Sequence, residues 1–348
     1  MRFSAFVALA TTGLAALAAV AQETPPASSP AEAPKAQPGL SDLSNTVQGL
    51  QDQQPAPTPA PAAPAQAAPA EPAPATPPPA APPARPQIQR QASAFPLTPA
   101  EIAAANRVAE RGRLLIALSR AGIVATQDLL SRVENPASAG IDGWIAEPEG
   151  QAIRVSFFDN TNEGPKLVYR AEVLGARVTS RDTFLGSYHP DLPRAQARLV
   201  AARTAVEALN HAACSPQGFN ILVIPPTDGS GAIDVYEISA PSQRGRFPIG
   251  GHFRTRVNGN GQAGESHAFA SACADIVVTD PPAGQQPPPV PVTVGTDPMP
   301  TEVHVLMSVM SSRALVFTAG DPARQWLVAG PRIAEIRDGA PRFLNAQE

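Results

Sequence analysis

A long proline- and alanine-rich stretch sets the first limit on what this chain can fold into. Residues 22–90 contain no aromatic and few β-branched side chains, as in PAPTPAPAAPAQAAPAEPAPATPPPAAPPARP. Such a segment cannot bury enough apolar surface to offset the entropy of ordering its chain, and its prolines favour extended polyproline II conformations. The sequence therefore predicts a disordered linker over residues 22–94. It would act either as a plain spacer or as a tether across the periplasm.

The N-terminus has the features of an export signal. Arg2 supplies a short positive start, an apolar run follows, and Ala19, Val20 and Ala21 form a small-x-small cleavage pattern. These features predict a signal peptide over residues 1–21, with an uncleaved anchor as the alternative, since about 20 apolar residues span a bilayer. We expect no membrane span after cleavage. The abundance of Ala, Pro and Arg is typical of a GC-rich bacterial genome, so the predicted location is the periplasm or the exterior of a Gram-negative bacterium.

Charge and cysteine content limit the classes of partner. The chain has 30 acidic and 26 basic residues with no dense basic patch, so nucleic acid is not an expected partner. Its two cysteines are Cys214 and Cys273. In an oxidising compartment an even number of cysteines predicts disulfide pairing, so we expect these two to be bonded to each other.

Helical patterns occupy two parts of the region after the linker. LTPAEIAAANRVAERGRLLIALSRAG predicts a helix that begins with Thr98 and Glu101 in a capping box and ends at Gly122. TQDLLSRVENP predicts a short second helix. A longer helix is predicted over Leu192–Ala213, where small apolar residues recur at three- and four-residue spacing and could pack closely against a sheet.

Strand patterns fill most of the remaining sequence. AIRVSFF and LVYRAEV alternate around a turn and predict a hairpin, and HFRTRV and ESHAFASAC predict another around NGNG. FNILVIPP and AIDVYEISA predict further strands, as do TEVHVLMSVM, RALVFTAG and RQWLVAGPRIAEI near the C-terminus. We therefore predict an α+β fold in a single domain over residues 95–340. A mostly antiparallel sheet would be packed by two long helices, with one helix covering a face and the N-terminal helix alongside it. A proline-rich loop over 280–300 would precede C-terminal strands at 301–336, docked on the main sheet.

Three histidines are the candidates for a metal site. If Gly259 and Asn260 are the turn residues of the NGNG hairpin, His252 lies opposite His267, and His304 could supply a third ligand. The alternative is that these are surface or half-buried imidazoles without a metal. A change of one residue in the turn would place the first two on opposite faces of the hairpin, so no metal is assigned and the three histidines remain candidates.

Motifs for nucleophilic catalysis are absent from the sequence. It contains neither GxSxG nor SxxK, and the GSG at 229–231 lies between predicted strands rather than before a helix, so no cofactor is predicted. Trp144 and Trp326 alternate with apolar residues, which predicts core packing. The alternative is an exposed aromatic platform for carbohydrate, formed with the tyrosines Tyr169, Tyr188 and Tyr236.

Four short segments carry a resemblance. PLTPAEI, FNILVIPP, GGHFRTRVNGNG and PTEVHV resemble segments of a family of uncharacterised exported proteins of Gram-negative bacteria. The resemblance covers roughly residues 95–338. It implies export and a single α+β domain, and the family has no established activity, cofactor or catalytic residue to carry over.

Three functions are compatible with this sequence. The favoured hypothesis is a non-enzymatic periplasmic protein that binds another envelope component or peptidoglycan through its folded region. A metal-dependent hydrolase using His252, His267 and His304 is the first alternative. A carbohydrate-binding module is the second.

Overall fold

The computed structural model describes residues 96–133, 139–186, 188–226, 230–279 and 285–344. The predicted signal peptide and linker, and part of the predicted proline-rich loop, lie outside these residues. The described residues combine helices with mostly antiparallel strands, so the α+β class is confirmed.

The described residues form three helices. These are α1 (Pro99–Leu130), α2 (Arg194–Glu207) and α3 (Glu302–Met310). The capping box of α1 is present: the Glu101 amide donates to the Thr98 hydroxyl at 3.2 Å, and the Thr98 amide donates to the Glu101 carboxylate at 2.6 Å.

The predicted stop at Gly122 is wrong, because α1 continues through it to Leu130. A Cβ atom at Gly122 would lie 2.6 Å from the Trp144 ring. The glycine therefore allows a tryptophan from the neighbouring sheet to approach the helix, and the predicted second short helix is the last part of α1.

Helix α2 is shorter than the predicted Leu192–Ala213. It begins after Pro193, without a side-chain cap, and ends at Glu207. Asn210 then adopts a left-handed backbone conformation with φ of 54°, which ends the helical path before the cysteine.

The strands form four sheets. The first is an antiparallel meander of β1 (Gly143–Glu149), β2 (Ala152–Thr161), β3 (Gly164–Leu174) and β4 (Arg177–Thr183). The second has the order β5 (Phe219–Ile224), β6 (Ile233–Ser239), β8 (Phe253–Val257) and β9 (Ala263–Ala268). Two short strands, β7 (Arg246–Pro248) and β10 (Asp275–Val277), pair with each other. The C-terminal sheet has the order β11 (Val290–Pro291), β12 (Leu315–Ala319), β13 (Arg324–Ala329), β14 (Arg332–Arg337) and β15 (Ala340–Phe343).

Helices α1 and α2 lie on opposite faces of the second sheet. In β5, Leu222 and Ile224 belong to the apolar core that includes α1, whereas Ile221 and Val223 belong to the core that includes α2. This strand is buried on both faces because successive side chains point in opposite directions. The prediction that the two helices lie side by side is therefore wrong.

The segment TEVHVLMSVM is helix α3 rather than a strand. Most of its residues are buried, and it crosses α1 where a Cβ atom on Gly112 would lie 2.5 Å from the Val305 side chain. A helix that is apolar on all sides belongs in a core. Such a helix lacks the polar face that would have shown its 3.6-residue period.

Candidate functional site

His252 is a structural residue at the start of β8. Its side chain is fully buried, its Nδ1 accepts from the Ser239 amide at 3.1 Å, and its Nε2 lies 2.9 Å from the Pro248 carbonyl. This network assigns the proton to Nε2 of a neutral imidazole. Burial lowers the pKa of His252 to about 4, so the ring is uncharged at neutral pH and both nitrogens are satisfied.

The two glycines before His252 pass against the disulfide. The Sγ atoms of Cys214 and Cys273 are 1.94 Å apart and their Cα atoms 5.4 Å apart, in agreement with the predicted pairing. A Cβ atom on Gly251 would lie 2.6 Å from the Cys214 amide nitrogen, and one on Gly250 would lie 2.1 Å from the Ala272 carbonyl oxygen. The GGH motif therefore provides close packing around the disulfide.

The hairpin that follows has a different register from the predicted one. Arg254, rather than His252, pairs with His267. The turn is longer than two residues because the Asn258 side chain accepts from the amides of Asn260 and Gln262 at 2.9 and 3.1 Å. The predicted pairing of His252 with His267 is therefore wrong by two positions.

The three candidate metal ligands have separate partners. His267 lies 3.1 Å from Asp297. His304 accepts from the Thr301 amide at 3.1 Å as part of the N-terminal cap of α3, and burial lowers its pKa to about 4. Across the described ranges, no three His, Cys, Asp or Glu side chains are grouped as a metal site requires. The structure does not bring His252, His267 and His304 together as a ligand set.

A network of polar side chains joins α1, the second sheet and α3. At its centre, Glu302 Oε1 accepts from the Tyr236 hydroxyl at 2.7 Å and from Arg254 Nη1 at 2.9 Å. Arg111 of α1 binds both Asp234 and Tyr236. We call these five residues the Glu302 network. It connects parts of the chain that are far apart in sequence.

The phenol of Tyr236 acts as a donor in this network. Its side chain is fully buried, and burial together with the negative charge of Glu302 raises its pKa well above the ordinary range. Tyr236 therefore stays protonated and cannot serve as a base near neutral pH. Asp234 and Glu302 are engaged by the guanidinium groups, so the network as it stands is suited to holding structure rather than to proton transfer.

Two arginines of the network reach the surface in fixed positions. The guanidinium carbon of Arg111 lies 5.4 Å from the Tyr236 ring centroid, and that of Arg254 lies 5.9 Å from the Phe269 centroid. Their side chains are 29% and 36% exposed. We call this surface, with the rings beneath it, the arginine face. It presents two oriented guanidinium groups, and Arg254 is paired with His267 across strands β8 and β9.

The tryptophans and tyrosines do not form an exposed platform. Trp144 and Trp326 are 4% and 2% exposed, and Tyr169 and Tyr236 are buried. Tyr188 alone of the five is well exposed, at 73%. The core packing predicted for the two tryptophans is confirmed, and these five residues do not form the exposed platform that the carbohydrate alternative predicts.

Sequence reasoning missed the Glu302 network, although two signals were present. Asp234 and Tyr236 alternate along β6, and Arg254 and Arg256 alternate along the paired strand β8. Complementary charges at alternating positions of two strands indicate a polar face. The contributions of Arg111 and Glu302 depend on where α1 and α3 pack, which local pattern does not reveal.

Comparison with protein families, curated proteins and solved structures gives no match. The family resemblance therefore stays a prediction. In the part of the chain that the structure describes, none of the helices combines the length and hydropathy needed to cross a bilayer.

Proposed function

We propose that this chain is an exported, non-enzymatic binding protein that contacts another component of the cell envelope through the arginine face. The observation that carries the proposal is the way Arg111 and Arg254 are held, each partly exposed and each over an aromatic ring. Arginine and aromatic residues dominate the energetics of protein interfaces. Side chains that are already ordered lose less entropy on binding.

Export is supported by the cysteines. Both are engaged in the Cys214–Cys273 pair, and structural disulfides persist in oxidising compartments such as the periplasm. The pair ties the region after α2 to the end of the β8–β9 hairpin, the hairpin that carries Arg254. The disulfide would therefore help to keep the arginine face in shape outside the cytoplasm.

The hydrolase alternative is not favoured by any observation. Each of its three histidines has its own hydrogen-bond partner, namely Ser239, Asp297 and Thr301. Metal analysis of purified, dialysed protein tests it directly: stoichiometric zinc would replace the binding proposal with the hydrolase.

Site-specific photo-crosslinking in living cells tests the proposal. A photoreactive residue at Glu265 would stand on β9, two residues from His267 and exposed. The matched control position is Glu163, whose side chain is 84% exposed in the turn between β2 and β3 of the first sheet. We expect a discrete adduct from position 265 that is absent from position 163.

Substitution of an arginine then tests whether the crosslinked adduct depends on the arginine face. Arg254→Gln should reduce the adduct from position 265 by at least fivefold. Arg177→Gln, on the exposed edge strand β4, should leave it unchanged. Equal adducts from positions 265 and 163, or an adduct that survives Arg254→Gln, would refute the proposed interface.

A further inference from the structure

A pocket that shares no lining residue with the arginine face lies where α1 begins. This pocket of about 180 Å³ opens between the first turn of α1 and the β12–β13 turn. Apolar groups of Pro298, Met299, Pro322 and Trp326 form part of its wall. A cavity of about 150 Å³ accepts a benzene ring, so this pocket has room for one five- or six-membered ring.

Trp326, one of the residues that line this pocket, has a buried hydrogen-bond donor that is not used. The side chain is 2% exposed, and its indole N–H has no acceptor among the residues that the structure describes. Buried tryptophans usually find a partner for this group, and a buried donor without one is costly. A ligand that brings an acceptor to the wall would satisfy it. Met299, an unbranched side chain on the same wall, is well suited to shift and admit that acceptor.

The charges around the pocket disfavour an anion as the source of the acceptor. Glu101 and Asp321 line the pocket together with Arg324. The positive charge of Arg324 is already paired with Glu335 at 2.8 Å and lies 3.7 Å from Glu101. The wall is therefore net negative, and the acceptor should come from a neutral group such as an amide carbonyl.

We propose that this pocket binds a prolyl residue of an extended polypeptide, with the ring against the apolar wall and a neighbouring peptide carbonyl accepting from Trp326. A proline ring has the size of the pocket and carries no charge. Extended proline-rich peptides dock in aromatic-lined grooves because their conformation is preformed and little entropy is lost. The site is separate from the arginine face, so the two proposals can fail independently.

The chain itself contains a possible source of this ligand. Residues 22–94 are rich in proline and are separated from Thr98 by only three residues. Glu101, in the first turn of α1, lines the pocket. A ligand joined to the rim in this way has a millimolar effective concentration. A proline-rich segment of another protein offers the same chemistry, so the experiment must separate the two sources.

The indole N–H signals of the ¹⁵N-labelled full chain provide the measurement. Every proline between residues 22 and 94 is replaced by serine, and a capped peptide with the sequence of residues 72–84 is added. We expect the Trp326 signal to shift saturably while the Trp144 signal stays in place. A Trp326 signal that does not move at millimolar peptide, or moves equally with an all-alanine peptide, would overturn the proposal.

Two variants test the pocket itself by anisotropy of a fluorescein-labelled peptide. Trp326→Phe keeps the ring but removes the donor and should weaken binding at least tenfold. Met299→Trp should fill the pocket and abolish binding while leaving Trp326 in place as a reporter of the fold. The matched control, Trp144→Phe, should change the Kd less than twofold. Full-strength binding to the first two variants would contradict the assignment.

The unaltered full chain identifies the source. If its own segment occupies the pocket, its Trp326 signal will match the peptide-bound position without added peptide. If the ligand comes from another protein, the signal will match the free position and will shift on addition of the peptide.

Discussion

Two regions of this molecule each contain a buried histidine, but different interactions stabilise the two regions. In the disulfide corner, formed by Cys214, Cys273, Gly250, Gly251 and His252, a covalent bond closes the structure. In the C-terminal segment, residues 301–344, the described interactions are packing, hydrogen bonds and ion pairs. The difference shows that a buried neutral imidazole can complete backbone hydrogen bonding in either setting.

The C-terminal segment depends on its buried contacts. Arg324 and Glu335, with side chains only 8% and 4% exposed, pair at 2.8 Å, and α3 crosses α1 at Gly112. Losing one member of a buried pair leaves an uncompensated charge. We therefore expect the two regions to respond alike to protonation of their histidines and differently to reduction of the disulfide.

Acidification should produce the largest effect. Burial lowers the pKa values of His252 and His304 in the folded state to about 4, from an ordinary value near 6.5, so the unfolded chain binds more protons. Stability is complete above pH 6.5 and is lost as the pH falls towards 4, by about 3 kcal/mol for each histidine. Urea unfolding between pH 7.5 and 4.5 measures the loss.

Single substitutions separate the contributions of the two histidines. His252→Gln and His304→Gln should each reduce the proton uptake on unfolding, measured as the slope of stability against pH, by up to one proton. Comparison of slopes between variants removes the background from carboxylates. If either variant keeps the wild-type slope, its histidine is not a buried neutral group.

Removing the disulfide should have the second-largest effect. The two cysteines are 59 residues apart, and chain-entropy estimates for such a loop give about 4 kcal/mol. The variant Cys214→Ser/Cys273→Ser should lose this much stability in urea at pH 7.5. Protein isolated from cells without reductant and then denatured should contain no titratable thiol. Two free thiols would show that the bond does not form in the cell.

The parts of this fold that were predicted correctly are those with a clear local period. Val155 and Phe157 alternate with polar residues in β2. This pattern predicted both the hairpin and the burial of these two side chains, and the structure has both. The capping box of α1 is likewise local, since Thr98 and Glu101 are three residues apart. The pairing of the cysteines followed from their number rather than from geometry.

The parts that could not be predicted depend on tertiary packing. Gly122 resembles a helix stop in sequence, and only the position of Trp144 shows why it lies inside α1. The register of β8 and β9 depends on the hydrogen bonds of the Asn258 side chain. The Glu302 network joins residues from four separate parts of the chain, and no window of sequence contains it.

A substitution at the centre of that network should have an intermediate effect. Glu302→Gln keeps the shape but removes the charge that pairs with Arg254, and should cost about 2–3 kcal/mol. This is below the ~3–5 kcal/mol expected for a fully buried pair, because Arg254 is partly exposed and can be hydrated. Tyr236→Phe is the matched control and should cost about 1 kcal/mol. If Glu302→Gln leaves the free energy of unfolding unchanged, the network does not stabilise the packing of α3 against the sheet.

The smallest effect is expected from two serines, one in each region, whose hydroxyl groups make the same pair of hydrogen bonds to the backbone. In the corner, Ser239 Oγ accepts from the Cys214 amide at 2.9 Å and donates to the Gly251 carbonyl at 2.8 Å. In the C-terminal segment, Ser308 Oγ accepts from the Gly330 amide at 2.9 Å and donates to the Arg313 carbonyl at 2.7 Å. Either serine replaced by alanine leaves a partly buried amide donor unpaired, at a cost of about 1 kcal/mol.

Double-mutant cycles with the disulfide distinguish the two serines. Ser239 bonds directly to Cys214, so Ser239→Ala and removal of the disulfide should be coupled by about 1 kcal/mol. Ser308 shares no hydrogen-bond partner with either cysteine, so Ser308→Ala should be additive with the same change to within about 0.5 kcal/mol. Urea unfolding of the four chains in each cycle gives both coupling energies. Equal coupling energies for the two serines would mean that the disulfide stabilises the C-terminal segment as strongly as it stabilises the disulfide corner.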